Sequence, residues 1–397
     1  MSPTAAPAGP LAYFDHAATV PLRPEVALAM APFAADRFGN ASGSHRLARD
    51  ARAALEDARE EIASLLGARP AEVVFTGGGT ESDNLAVFGV LAACERQRPA
   101  IVCSAIEHAA VLAPARAAAG GAGRVRGLDR AELRVAAVDR TGVIDLGALE
   151  ECLGDDVALV SVMLANNEVG TVQPLAEAAA VVRRRAPGAA LHTDAVQAAP
   201  FLDVARAAAA ADLVTLSAHK LGGPKGTGVL VVREGTPLRP LVFGGGQERE
   251  RRSGTHDVAG AVGMAAALRE SVAHRQEEGA RVAALRDRLA DGLLSSIPGT
   301  VESAPRELVL PGHAHLRFAG VEQEELLVLL DEAGVCASAG SACASGAIEP
   351  SHVLLAMGVG GRDARSAVRF TLGATSSELD VQLALTATRA AVERLRH

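Results

Sequence analysis

Asp212-Leu213-Val214-Thr215-Leu216-Ser217-Ala218-His219-Lys220-Leu221-Gly222-Gly223-Pro224 runs from apolar residues straight into a lysine, then into glycine and proline. A short apolar and β-branched run bounded by turn residues reads as a buried strand. A lysine at the end of such a strand is costly to desolvate unless its amine is put to use. Forming a Schiff base with a carbonyl compound is one such use.

A second strand-like run, Leu191-His192-Thr193, ends in Asp194. The separation, 220 − 194 = 26 residues, fits one strand–helix–strand step. Pyridoxal phosphate needs this pair of residues: an amine for its aldehyde and a carboxylate for its ring nitrogen.

Outward from this core, the predicted strands are Glu72–Phe75, Ala100–Cys103, Leu133–Val138, Ala158–Met163, Ala190–Thr193, Leu213–Ser217 and Gly228–Val232. Predicted helices cover Leu47–Leu66, Glu81–Ala93, Ala176–Arg185 and Ala259–Leu294. This alternation predicts an α/β fold with a mainly parallel seven-stranded sheet and helices on both faces. Ligands bind such sheets outside the strand carboxyl ends, where Thr76, Asp194 and Lys220 all fall. After about residue 260 the rhythm changes. Strands at Leu308–Leu310, Leu316–Phe318 and Arg369–Leu372, with a helix at Glu322–Ala333, predict a smaller C-terminal α/β domain. The expected division is 15–265 for the large domain and 266–397 for the small one, with 1–14 packing on the latter.

The chain has 397 residues, 49% of them hydrophobic, so a sizeable core can form. Only 3% are aromatic, with no Trp, so a cofactor ring has few partners to stack on and a histidine gains interest. The net charge of −8 argues against general binding to nucleic acid or an anionic membrane. Five scattered cysteines form neither a disulfide framework nor a CxxC zinc pattern, and no metal site is expected. Residues 1–10 carry no basic segment and no apolar run, and no stretch is long enough for a membrane span. A reducing, cytoplasmic setting is expected.

Other segments have both an ordinary and a chemical reading. Thr76-Gly77-Gly78-Gly79-Thr80-Glu81 could be a capped strand-to-helix turn, or could present backbone N–H groups to an anion. It has neither the GK[ST] of a Walker loop nor G-x-G-x-x-G spacing. His108, after Glu107, could cap a helix or cover a ring and shuttle protons. Asn166-Asn167-Glu168 is a polar turn or a set of amides for a phenolic oxygen. Arg252-Ser253-Gly254-Thr255, following Gly244-Gly245-Gly246, is a solvent loop or an anion site. Arg369 makes a structural ion pair or a fork for a substrate carboxylate. Cys343 sits within Ser338-Ala339-Gly340-Ser341-Ala342-Cys343-Ala344-Ser345-Gly346, a loop with no bulky side chain to bury it. An isolated cysteine is usually a small buried hydrophobe, but an exposed thiolate is a nucleophile.

Taken in order, His108, Asn167, Asp194, Gln197, Ser217-x-His219-Lys220, Arg252–Thr255, Cys343 and Arg369 resemble the pyridoxal phosphate-dependent cysteine desulfurases. These are class V aminotransferases of fold-type I. The likeness begins at Phe14-Asp15-His16-Ala17-Ala18-Thr19 and Gly39-Asn40-Ala41-Ser42, and covers almost the whole chain. The Cys343 loop resembles the longer-loop type, linked with iron–sulfur assembly and tRNA thiolation. Val20 departs from the family, which often has another Thr there.

The resemblance implies roles. Lys220 would hold the cofactor's aldehyde and move the substrate Cα proton. Asp194 would pair with the ring nitrogen, and His108 would stack on the ring. Gln197 would contact the phenolic oxygen, with Asn167 nearby. Gly79, Thr80, Ser217 and His219 would hold the phosphate, with Thr255 reaching it from the second subunit of a homodimer. Asn40 and Arg369 would grip the carboxylate of L-cysteine. Cys343 would take the sulfur as a persulfide, release L-alanine, and pass the sulfur to an acceptor protein: an iron–sulfur scaffold or a tRNA-thiolation protein. Rival readings are selenocysteine lyase, another class V aminotransferase, or a sulfur carrier with a vestigial site.

Overall fold

The computed structural model describes residues 11–121, 129–340 and 350–397. Its strands are β1 (Ala12–Tyr13), β2 (Val73–Thr76), β3 (Ala100–Ser104), β4 (Glu132–Ala136), β5 (Val157–Ser161), β6 (Ala190–Asp194), β7 (Leu213–Ser217), β8 (Gly228–Val232), β9 (Thr300–Glu302), β10 (His313–Phe318), β11 (Val335–Cys336) and β12 (Ala367–Thr371).

Seven strands form one sheet in the order β2-β8-β7-β6-β5-β3-β4. β8 pairs antiparallel with both neighbours, and every other pair is parallel. The reversal has a local cause. The link from Ser217 to Gly228 holds only a 3-10 turn, Ala218–Lys220. That is too little for the crossover a parallel partner requires. Every residue of β3, β5, β6, β7 and β8 is buried, as expected of central strands covered on both faces. β4, at the edge, is partly exposed.

One face of the sheet packs against helices Arg46–Leu65 and Leu175–Arg185 and the start of Val258–Ser296. The other packs against Gly79–Ala93 and Ala109–Ala118. A separate core joins Phe14, Leu316, Phe318 and Phe370 to Val282, Leu289 and Leu293. It lies on the three-stranded antiparallel sheet β12-β10-β9 and the two-stranded sheet β1-β11. Helix Val258–Ser296 feeds both cores, so residue 265 falls inside an unbroken helix.

The seven strands expected for the main sheet all occur, with ends shifted by up to two residues. The strand expected at Leu308–Leu310 does not form. Pro305 opens a 3-10 turn at Arg306–Leu308, and Pro311 closes the stretch, leaving Val309 only an isolated bridge to Thr171. Sequence reasoning missed β1, β9 and β11, each two or three residues long. No helix among the described residues is long and apolar enough to cross a membrane.

Candidate active site

The carboxyl ends of β5, β6 and β7 and the N-terminus of helix Gly79–Ala93 open on a cavity of about 220 Å³. Nine residues expected from the sequence line it: Gly79, Thr80, His108, Asn167, Asp194, Gln197, Ser217, His219 and Lys220. Asp83, Met163 and Val196 complete the lining.

Lys220 ends the 3-10 turn that closes β7. Its ammonium donates to the carbonyls of Ala17 and Ala18, the latter at 2.8 Å. Burial, then the positive charge of Arg369, brings its pKa down to about 8, against the pull of Asp194 and Asp15. An amine so placed is a nucleophile near neutrality. Asp194 is the last residue of β6, and its Oδ1 accepts the Val196 N–H at 2.9 Å. His108 caps helix Ala109–Ala118 by accepting the Ala110 N–H on Nδ1 at 3.1 Å, while its ring still lines the cavity. The capping reading and the site reading are therefore compatible. His219 meets the Thr19 hydroxyl through Nδ1 at 3.1 Å. Burial, then Lys220 and Lys225, lower its pKa to about 4, so its ring is neutral.

The glycine run makes an anion cup. Gly78 precedes the helix with φ of +135°, and no side chain caps the helix there. A Cβ on Gly228 would stand 2.5 Å from the carbonyl carbon of Gly78, so the first residue of β8 must be glycine for the cup to close. Glu81 accepts the Gly77 N–H at 2.8 Å and pairs with Arg252 at 2.8 Å, which ties the loop around residue 252 to the cup. A phosphate suits free N–H groups at this helix start. Gln197 Oε1 is buried in the same cavity with no hydrogen-bond partner. The donor set, this orphaned oxygen and the amine–carboxylate pair fit pyridoxal phosphate.

Three expected residues stand outside this lining. Asn40 is exposed and accepts the Ser42 N–H at 2.9 Å. Thr255 is exposed on its loop. Arg369 is buried, and its fork is engaged: Asp15 at 2.6 Å, the Asn167 carbonyl at 2.9 Å and the Gly340 carbonyl at 3.3 Å. Its Nε has no partner. Cys343 lies outside the described residues. Asp83 was missed although it stands three residues past Thr80, almost one helical turn on.

The chain matches the aminotransferase class-V family over residues 12–383. It belongs to that family. It is 46% identical over 393 residues to an IscS-like cysteine desulfurase of Mycobacterium tuberculosis, covering 97% of each chain. It is 40% identical to a cysteine desulfurase IscS of Dictyoglomus turgidum, covering 97% of this chain and 95% of that one. Among solved structures, a NifS-like protein superposes with a TM-score of 0.89 at 34% identity, covering 97% of this chain and all of the other. A structure of SspA in complex with cysteine superposes with a TM-score of 0.77 at 30% identity, covering 92% of this chain and all of that one. Within the family, the chain falls among the cysteine desulfurases, whose members generally depend on pyridoxal phosphate.

Proposed function

We propose that this chain is a pyridoxal phosphate-dependent cysteine desulfurase. It takes the sulfur of L-cysteine onto the Cys343 thiol as a persulfide and releases L-alanine. The observation that carries this reading is the convergence of Lys220, Asp194, Gln197, Ser217 and His219 on one cavity beside the glycine cup. When bound, pyridoxal phosphate supplies an aldehyde for the amine and a ring that withdraws electron density from the substrate Cα.

The protein supplies the rest. Gly79, Thr80, Ser217 and His219 hold the phosphate, with Thr255 arriving from the second subunit of a homodimer. Asp194 keeps a proton on the ring nitrogen, and Gln197 and Asn167 orient the phenolic edge. His108 covers the ring face. Lys220, with its lowered pKa, accepts and returns the Cα proton. Arg369 and Asn40 bind the substrate carboxylate, which takes the place of Asp15 on the guanidinium. The large unit, residues 15–265, carries the cofactor cavity, and the small unit, 266–397, carries Arg369 and Cys343. We place the reaction in the cytoplasm, where thiols stay reduced. The sulfur passes to an acceptor protein of iron–sulfur assembly or tRNA thiolation.

The test is an alanine and sulfide assay on two variants. Lys220→Ala should lose the visible cofactor band and all turnover. Cys343→Ser should keep the band and bind cysteine but release no sulfide. Normal desulfuration by Cys343→Ser removes the role given to that thiol. Survival of activity on selenocysteine alone turns the reading to a selenocysteine lyase.

A further inference from the structure

Residues 15–19 form one turn that touches three side chains of the site. Asp15 pairs with Arg369 at 2.6 Å. The Thr19 hydroxyl meets His219 Nδ1 at 3.1 Å. Between them, the carbonyls of Ala17 and Ala18 both accept from the Lys220 ammonium, the latter at 2.8 Å. Among the described residues, no other donor meets either carbonyl. Ala17 is 2% exposed, and a buried carbonyl needs a partner, which Lys220 supplies.

The turn is held from several sides. The Ala18 and Thr19 N–H groups donate back to the Asp15 carbonyl at 3.0 and 3.4 Å. The Ala17 N–H donates to the Thr371 hydroxyl on β12 at 2.9 Å, and the Val20 N–H donates to the His219 carbonyl at 3.2 Å. Across the mouth of the turn stands Tyr13, the one tyrosine of the chain. Its hydroxyl lies 3.0 Å from the Asp15 carbonyl and 2.8 Å from the Thr19 carbonyl. A single phenol proton therefore clasps the first and last residues of the turn. The function proposed above gives no task to Tyr13, Ala17 or Ala18.

A free ammonium has three protons to give, whereas a lysine nitrogen doubly bonded to an aldehyde carbon has at most one. The bonded nitrogen cannot serve both carbonyls, so this pair of acceptors suits the amine only when it is unattached. In the function proposed above, on which this inference rests, that is a defined interval. The amino group of cysteine has replaced Lys220 on the aldehyde, and Lys220 carries the substrate Cα proton. We propose that the Ala17 and Ala18 carbonyls are the berth of the Lys220 ammonium during this interval, and that the Tyr13 hydroxyl keeps the berth in shape. Tyr13 is thus a positioning residue, reaching the amine only through the backbone of the turn. Acceptors that bind the ammonium favour its charged form. The charged groups acting on the amine are Arg369, Asp194 and Asp15. Tyr13→Phe replaces none of them and takes away a single oxygen atom.

The chain has only two lysines, Lys220 and the exposed Lys225, so amine chemistry reads out cleanly. The test labels cofactor-free protein with acetic anhydride over a range of pH and follows both lysines by mass spectrometry, with Lys225 as the internal standard. In Tyr13→Phe the pH midpoint of Lys220 reactivity should fall, and that of Lys225 should stay. In the loaded enzyme, kcat should drop about three- to tenfold, the size of one lost hydrogen bond, with KM for cysteine changed less. An unmoved or raised midpoint, an unchanged kcat, or a loss confined to KM overturns the proposal. Nitrogen-15 lysine NMR of the unsubstituted, cofactor-free protein needs no variant, should Tyr13→Phe fail to fold. At mildly acid pH the Lys220 ammonium should exchange protons with water more slowly than that of Lys225, and equal exchange also overturns the proposal. Absence of any visible cofactor band when pyridoxal phosphate is added to the unsubstituted protein is a different failure, that of the functional reading itself.

Discussion

The Arg59 guanidinium and the Glu248 carboxylate meet fork to fork in the interior, with both contacts at 2.8 Å. Glu248 also accepts the Phe75 N–H at 2.8 Å and faces His256 Nε2 at 3.0 Å. Arg59 lies over the Phe75 ring, 4.7 Å from its centroid. This anchor holds an uncommon backbone. Glu248, Arg249 and Glu250 have φ of +48°, +57° and +65°, three left-handed residues without a glycine. Such a turn persists only where its surroundings over-determine it. It leads to Arg252, which braces Glu81 at the phosphate cup.

Arg59→Met should destabilise the fold by about 3–5 kcal/mol, because it leaves Glu248 charged and buried without its fork. The double variant Arg59→Met/Glu248→Gln should lose clearly less. Urea denaturation of the set reads the difference. Equal losses for the single and double variants would mean that packing against Phe75, not charge, sets the cost.

The same pair gives the fold an acid limit. Burial pushes the Glu248 pKa up, but Arg59, His256 and the Phe75 N–H outweigh it and hold the group at about 2. A folded-state pKa below the unfolded one adds stability above the unfolded value, near 4.5. That stability drains away as pH falls towards 2. Denaturation midpoints measured from pH 5 down to pH 2 should fall along this slope. The slope should flatten in Glu248→Gln.

Lys220 predicts a pH profile for cofactor capture. With its pKa at about 8, the rate at which cofactor-free protein takes up pyridoxal phosphate should rise with pH and level off above 8. An ordinary lysine would still be climbing at pH 10. Arg369→Met removes a charge that lowers this pKa, so the midpoint should move upward. Stopped-flow absorbance against pH measures both.

Much of this site was legible in the sequence because the chemistry sits where strands end. Asp194 and Ser217 close strands, and Lys220 follows at once, so an apolar run and its last polar residue placed each of them. Residues on turns or far from strand ends were harder. Asp83 sits in the polar opening of its helix, Thr80-Glu81-Ser82-Asp83-Asn84, where no periodic face sets it apart, and only the fold brings it into the cavity lining beside His108 and Asp194. Glu248 stands 189 residues from Arg59, and nothing local announces that pairing. The stretch near Val309 misled for a related reason: apolar residues between two prolines pack as a turn when no neighbouring strand is in register with them.

Gly228→Ala should loosen the phosphate cup. The added methyl would meet Gly78 at 2.5 Å from its carbonyl carbon, backbone against backbone, with no side chain free to yield. The dissociation constant for pyridoxal phosphate should rise at least about tenfold, the equivalent of about 1.4 kcal/mol. Equilibrium dialysis gives that value. Circular dichroism separates it from loss of the sheet, and unchanged affinity would mean that Gly77 and Gly78 shift without consequence.

Arg369 and Asp15 predict effects of opposite sign on the substrate. In the structure, Asp15 occupies the Arg369 Nη2 at 2.6 Å, where a substrate carboxylate would bind. Arg369→Lys removes the planar fork, so KM for cysteine should rise about tenfold or more while the visible cofactor band stays in place. Asp15→Asn removes a competing carboxylate but keeps a hydrogen-bonding side chain, so KM should fall. Burial of Arg369 makes this a sensitive comparison, since exchange between the two carboxylates happens out of water, where each charge-assisted contact counts more. If Asp15→Asn raises KM as Arg369→Lys does, Asp15 orients the guanidinium for substrate, and the two residues act as one binding unit.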